Sequence, residues 1–234
     1  MIVVPEERRF LLITQPDHAW FSAELMSLWR ADGVPDHPRR EDLLFAVREH
    51  DNGWREADAA PRWDPERRRP HDFLSLPRED RIEIWERGTA RFARQHPYAA
   101  LLIVLHAIHL HRDRAGEEGW AGFLDRMREL EGELRQAAGA SEDETAADYR
   151  LLDRADLISL AVCNGWSERF ERHGVRGRVR DDMVFLDPFP LAGATTFRIP
   201  CRRIPARPYD GDADLGGELA AARWEELRVR VAPG

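Results

Sequence analysis

The chain has 234 residues, 43% of them hydrophobic and 33% charged, with a formal net charge of −8. That balance supports a buried core, argues against global disorder and disfavours nucleic acid or an anionic membrane as partner. All the basic residues are arginine, which excludes Schiff-base chemistry and a lysine phosphate loop, and two cysteines, Cys163 and Cys201, are too few for a disulfide framework or a zinc knuckle.

The opening "MIVVPEERRFLLIT" reads as a β-hairpin around a proline turn. A helix then begins near Pro16 in "TQPDHAWFSAELMSLWR", with Thr14 and Asp17 spaced as a helix cap. A second helix, "REDLLFAVREHD", stops at Asn52-Gly53. The Pro- and Arg-rich stretch after it, from Gly53 to Pro77, lacks periodicity and reads as a functional loop or lid. Helices resume in "REDRIEIWERGTARFARQ", and Pro97 restarts the chain into "YAALLIVLHAIHLH", apolar on nearly every side and so the central buried helix. "GWAGFLDRMRELEGELRQAAGA" is amphipathic and peripheral, and the stretch from Ser141 to Gly174 reads as the last long helix. Short β-like runs divided by Pro and Gly follow. The expectation is one domain over 1–234, mainly α: a helical core over 15–175, with a small antiparallel sheet formed by 1–14 and 183–232.

No run approaches the ~18 apolar residues of a membrane span, so a cytoplasmic protein is expected, with a small-molecule substrate and with self-association left open.

Helical spacing places several polar residues on apolar faces. Counting back from His50 by three, four and seven reaches Val47, Ala46 and Leu43; His18 shares a stripe with Phe21, Ser22 and Leu25. His106 lies in the central helix beside Leu102 and His109, with His111 turned away, and Asp156 shares a stripe with Leu152, Ser159, Leu160 and Cys163. Taken singly, His18 or His106 reads as a hydrogen-bonded core residue, Asp51 as a helix-end residue and Asp156 as the partner of an arginine. Together, inward His or Asp on four helices point to a shared site for one or two divalent ions, Mn, Fe, Zn or Mg, since imidazole and carboxylate suit borderline and hard metals. His37, His71, His96 and His173 read as loop or surface residues.

An early His18, the pair His50-Asp51 before Gly53, and Asp156 in "RADLISL" resemble the HD-domain metal-dependent phosphohydrolases, with 32 residues from His18 to His50. The stretches "LLITQPDHAWFSAELMSLW", "HDNGW" and "PYAALLIVLH" also resemble an uncharacterised bacterial family, domain of unknown function 3891, over nearly the whole chain. The HD resemblance implies an HD-like helical bundle whose metal ligands are His18, His50, Asp51, His106 and Asp156. It further implies hydrolysis of a small phosphorylated or nucleotide-like substrate, with Asp51 as the catalytic residue bridging two metals or orienting a water. Where many HD hydrolases carry a lysine, this chain has Trp54, so Arg48, Arg55 or the run Arg67 to Arg69 would have to meet a phosphate. Trp54, Arg55 and Gln15 are the expected substrate contacts, and Asp17 and His109 the residues expected to support the ligands. A di-iron oxygenase on the same scaffold and a non-catalytic ligand- or partner-binding protein are the alternatives.

Overall fold

A computed structural model describes all residues, 1–234. Strands β1 (Ile2–Pro5) and β2 (Arg9–Ile13) form the N-terminal hairpin. Helix α1 (Gln15–Ser27) follows, capped by Thr14, whose Oγ1 accepts the Asp17 N–H at 3.1 Å, and α2 (Arg40–Glu49) ends at His50.

The long loop is partly ordered into structure of its own. A single turn over Asn52–Trp54 leads into the short α3 (Arg55–Ala59), and a two-stranded β3 (Trp63–Asp64) and β4 (Arg69–Pro70) ribbon follows. Three helices, α4 (Arg78–Arg91), α5 (Pro97–His111) and α6 (Trp120–Ala138), then precede α7 (Glu142–Cys163). Pro97 suits the first turn of α5 because it has no N–H to lose there, and α5 is buried along nearly its whole length, as its all-round apolar pattern predicts.

Beyond α7 the structure departs from the sequence reading. The helix ends at Cys163, and "RFER" is not helical but strand β5 (Arg169–Arg172), followed by β6 (Val175–Arg180) and β7 (Met183–Asp187). The long β8 (Thr195–Pro205), helix α8 (Asp212–Ala221), which no sequence signal marked, and β9 (Trp224–Pro233) complete the chain.

The expectation of a mainly α, HD-like bundle with a small antiparallel sheet is overturned. The chain is 50% helical and 21% strand, and its largest single element is a seven-stranded sheet curled into a half-barrel. The order is β1-β2-β8-β9-β7-β6-β5, antiparallel except where β7 runs parallel to β9. The strands of this sheet come from both ends of the chain. β2 pairs Phe10 with Ile204 and Leu12 with Arg202, a register that no local periodicity encodes.

Alternation along the strands divides the core between the sheet's two faces. Ile2, Leu11 and Ile13 join the main cluster with the helices, where Phe21 of α1 meets Phe197 of β8 edge-on at 5.3 Å. Met1, Val3, Phe10 and Leu12 point the other way, onto Leu215 and Leu219 of α8. No helix is long and apolar enough to cross a membrane. For the site, the consequence is that α1, α2, α5 and α7 are clamped together beside the sheet; α1, α5 and α7 each bring one polar group to their common centre, and the end of α2 brings two.

Candidate metal centre

His18 lies in the first turns of α1, His50 and Asp51 close α2, His106 is midway along α5, and Asp156 lies on the inner face of α7; all five are buried. Their polar atoms converge. His18 Nε2 is 2.8 Å from Asp51 Oδ2 and 3.9 Å from Asp156 Oδ1. His50 Nε2 is 3.6 Å from Asp51 Oδ2 and 3.3 Å from Asp156 Oδ1, and His106 Nε2 is 3.8 Å from Asp156 Oδ2. Ligand atoms about 2.1 Å from a common ion lie roughly 3 to 4 Å from one another, so these separations suit shared coordination. Two sets, His18 with His50 and Asp51, and His50 with His106 and Asp156, could each hold a metal ion.

The hydrogen bonds around the ring nitrogens test that fit. His50 Nδ1 lies 2.8 Å from the Val47 carbonyl, which can only accept, so the proton is on Nδ1. Nε2 of a neutral His50 is then a lone pair, without a hydrogen-bond partner, facing two carboxylate oxygens. Acceptors so placed repel unless a proton or a cation lies among them. The groups respond accordingly: burial pulls His50 down, but the charges of Asp51 and Asp156 overcome it and push its pKa up to about 9. The same ion pairing outweighs burial at Asp51 and Asp156 and holds both carboxylates below their usual range. A pair of ionised carboxylates that can hold a proton on a buried imidazole can equally hold a divalent cation in its place.

His18 is arranged likewise. Ser159 Oγ donates to the Asp156 carbonyl at 3.0 Å and lies 2.6 Å from His18 Nδ1, so it accepts the Nδ1 proton and leaves Nε2 toward Asp51. His106, pulled down to about 4 by burial, is neutral at pH 7. Because His50 offers only Nε2, it can ligate one ion, and the two sets, which share His50, cannot both be complete on separate ions.

Turn chemistry explains why the pair is followed by Asn-Gly-Trp. Asn52 Nδ2 donates to the Glu49 carbonyl at 2.8 Å and to the Gly88 carbonyl at 3.0 Å, tying the end of α2 to α4. Gly53 packs backbone to backbone against α4: a Cβ there would collide with the Ile84 carbonyl. Trp54 is thereby brought to a cavity of about 140 Å³ that reaches Asp51, His106 and Asp156. Phe73 and Trp85 line it with Trp54, together with Gln15, Arg81, Arg114 and His111. A larger groove, about 680 Å³, adjoins it through Leu110, Asp156 and Leu160 and is lined by Tyr149, Arg150 and Trp166.

Of the expected substrate contacts, Gln15 and Trp54 border the cavity, whereas Arg55 is exposed and paired with Glu49 at 2.5 Å. Of the other arginines expected to meet a phosphate, Arg48 pairs with Glu49, Arg67 with Asp64 and Arg69 with Asp72, and Arg68 is exposed and does not line the cavity. Asp17 does not reach His18; its carboxylate takes the Thr14 hydroxyl at 2.5 Å. His109 is exposed and stacked on Tyr149 at 4.2 Å, in the groove and not at the centre. Sequence reasoning missed Ser159 as the partner of His18, though it stands on the Asp156 stripe, and it missed Arg81 and Arg114, which carry no sequence signal. His111, read as turned away, is buried at the cavity edge, stacked on Trp120 at 4.3 Å.

Residues 1–206 match the family described as protein of unknown function (DUF3891). The chain belongs to that family. The DUF3891 match covers all five centre residues, Ser159 and both cavity arginines, and it ends before α8 and β9. No curated protein and no solved structure matches the chain. The HD-domain resemblance therefore rests on the motif residues alone, and the DUF3891 assignment brings no activity with it.

Proposed function

We propose that this DUF3891 protein is a metal-dependent hydrolase acting on a small phosphorylated substrate. The observation that carries the reading is the convergence of three imidazoles and two carboxylates from four helices, of which Asp51, His106 and Asp156 border a cavity that also holds two arginines. Three nitrogen and two carboxylate donors favour Mn, Fe or Zn over Mg, which prefers oxygen ligands. A divalent ion bound there supplies Lewis acidity toward a phosphoryl oxygen and eases the deprotonation of water.

The protein's own contribution is positional and electrostatic. His18, His50 and His106 present Nε2, and Asp156 a carboxylate oxygen, from rigid helices whose packing leaves them little freedom. Asp51 both faces this set and borders the cavity, with its carboxylate held ionised, so it is placed to accept a proton from an attacking water. The aromatic walls, Trp54, Phe73 and Trp85, restrict solvent around the reacting group, which strengthens each charge interaction inside.

The test is elemental analysis of protein purified without a His-tag, paired with a screen of phosphomonoesters and nucleotides in Mn, Fe and Zn. Near-stoichiometric metal, lost in His50→Ala and Asp156→Ala, with phosphate release abolished by EDTA, is the expected result. Wild-type protein that stays metal-free after loading, or phosphate release that persists in EDTA, would overturn the reading.

A further inference from the structure

Arg81 is anomalous among the arginines of α4. Arg78 pairs with Glu79 at 2.5 Å, Arg87 with Glu56 at 3.1 Å and Arg91 with the same Glu56 at 2.6 Å, but Arg81 takes part in no ion pair. The carboxylate beside it in sequence, Asp80, is taken by Arg62. Arg81 is half-buried, and its Nε is buried without a hydrogen-bond partner. Another cation stands beside it: Arg81 and Arg114 both lie over the Trp120 ring, at 5.5 and 5.4 Å, and Arg114 reaches a carboxylate, Glu117, only at 3.6 Å. Burial, and then the charge of Arg114, draws Arg81 below the ordinary arginine range against the smaller opposing effect of Glu117. Two partly desolvated guanidiniums at one cavity wall are costly together unless an anion lies between them and the opposite wall.

A second observation is independent of these charges. Trp54 Nε1 and Gln15 Oε1 are also buried without partners, in residues only 3% and 2% exposed, and both residues line the same cavity. Buried polar groups are nearly always satisfied, and three unsatisfied ones around one space imply a polar occupant.

We infer that this cavity is a receptor for one terminal phosphoryl group, bound by Arg81, Arg114 and the Trp54 indole N–H, with Gln15 beside it, directly above the metal centre. Donors outnumber acceptors on this wall, which selects an anion, and a planar guanidinium matches two oxygens of a tetrahedral oxoanion. Size agrees: such an oxoanion takes the room of two or three waters, roughly 60–90 Å³. The cavity, at about 140 Å³, has room for that group. The organic remainder of the substrate would run into the adjoining groove past Leu110 and Leu160. The inference deepens the hydrolase reading and rests on it for the fate of the bound group.

The probe is inorganic phosphate, titrated calorimetrically into metal-free and Mn-loaded protein. Phosphate binding should weaken about tenfold or more in Arg81→Gln, as expected for loss of a charged hydrogen-bond partner, and by a smaller factor in Trp54→Phe, which keeps the ring and removes the N–H. Arg91→Gln, on the same helix but paired with Glu56, should bind as wild type. If Arg81→Gln does not fold, Arg114→Gln and Trp54→Phe carry the test. Wild-type-like phosphate affinity in the folded cavity variants, or wild-type protein that binds no phosphate in either form, overturns the inference. Arg81-dependent phosphate binding by protein that takes up no metal would retain the inference and discard the hydrolase reading. A metal-loaded, EDTA-sensitive hydrolase whose KM is unmoved by Arg81→Gln would do the reverse.

Discussion

Ser159 Oγ lies 2.6 Å from His18 Nδ1, joining residues 141 apart in the chain. This contact orients the imidazole and directs Nε2 at Asp51, so a residue that touches no ion controls one that would. Ser159→Ala should lower metal affinity roughly 10- to 100-fold, the usual effect of losing such a support, with little change in the metal-free unfolding midpoint. Titration of Mn or Zn into the apo variant checks this; unchanged affinity would remove Ser159 from the site's design.

Metal should stabilise the fold through the same residues. Ligand present at a hundred times its dissociation constant adds about 2.7 kcal/mol, so EDTA should lower the wild-type melting temperature by several degrees. His50→Ala should melt at one temperature with or without EDTA. A wild-type midpoint indifferent to Mn, Fe, Zn and EDTA would count against the centre.

Gly53 is a structural requirement of the turn that carries Trp54. Gly53→Ala sets a methyl group against the backbone of α4, where no side chain can swing aside, and should destabilise by about 2 kcal/mol or more. Gly132→Ala, on the exposed side of α6 with open space at its Cβ, should stabilise slightly. Urea unfolding of the two variants compares them directly; equal midpoints would contradict the close approach.

Acid stability should report His111. Burial lowers its pKa to about 4 from 6.5, so the folded protein keeps it neutral while the unfolded chain takes up a proton. Its contribution is complete above pH 6.5 and is lost progressively as pH falls to 4, on the order of 3 kcal/mol across that window. His111→Phe, which can retain the stack on Trp120, should flatten the stability profile between those limits relative to wild type. Parallel profiles for the two proteins would refute the assignment.

Four of the centre residues, His18, His50, His106 and Asp156, were legible because each is a polar side chain at the three- and four-residue spacing of an apolar helical face, and burial of such a group demands a partner; Asp51 was legible only as the other half of the His-Asp pair. Arg81 and Arg114 were not, since an arginine looks the same in sequence whether it faces solvent, an ion pair or a cavity; Arg81 is set apart only because Asp80 is committed to Arg62, and Arg114 only by its place on the cavity wall. Arg55 and Arg67 to Arg69 were read as phosphate contacts from proximity in sequence, but Arg55, Arg67 and Arg69 are held by Glu49, Asp64 and Asp72.

The sheet shows the same division. The alternating "VRGRVR" and the N-terminal hairpin announce strands, because a two-residue period is local. Their union into one seven-stranded sheet, β2 joining β8 and β7 lying parallel to β9, depends on contacts between distant residues, and that is what overturned the expected helical bundle with a small sheet. By itself the sequence determined that His18, His50, His106 and Asp156 turn inward, through helical periodicity and the cost of burying unpaired polar groups, though not that His111 does. Only the tertiary structure decided which of them meet, because the distances among His18, Asp51, His106 and Asp156, and the cations that face them, are set by packing between elements that no local period connects.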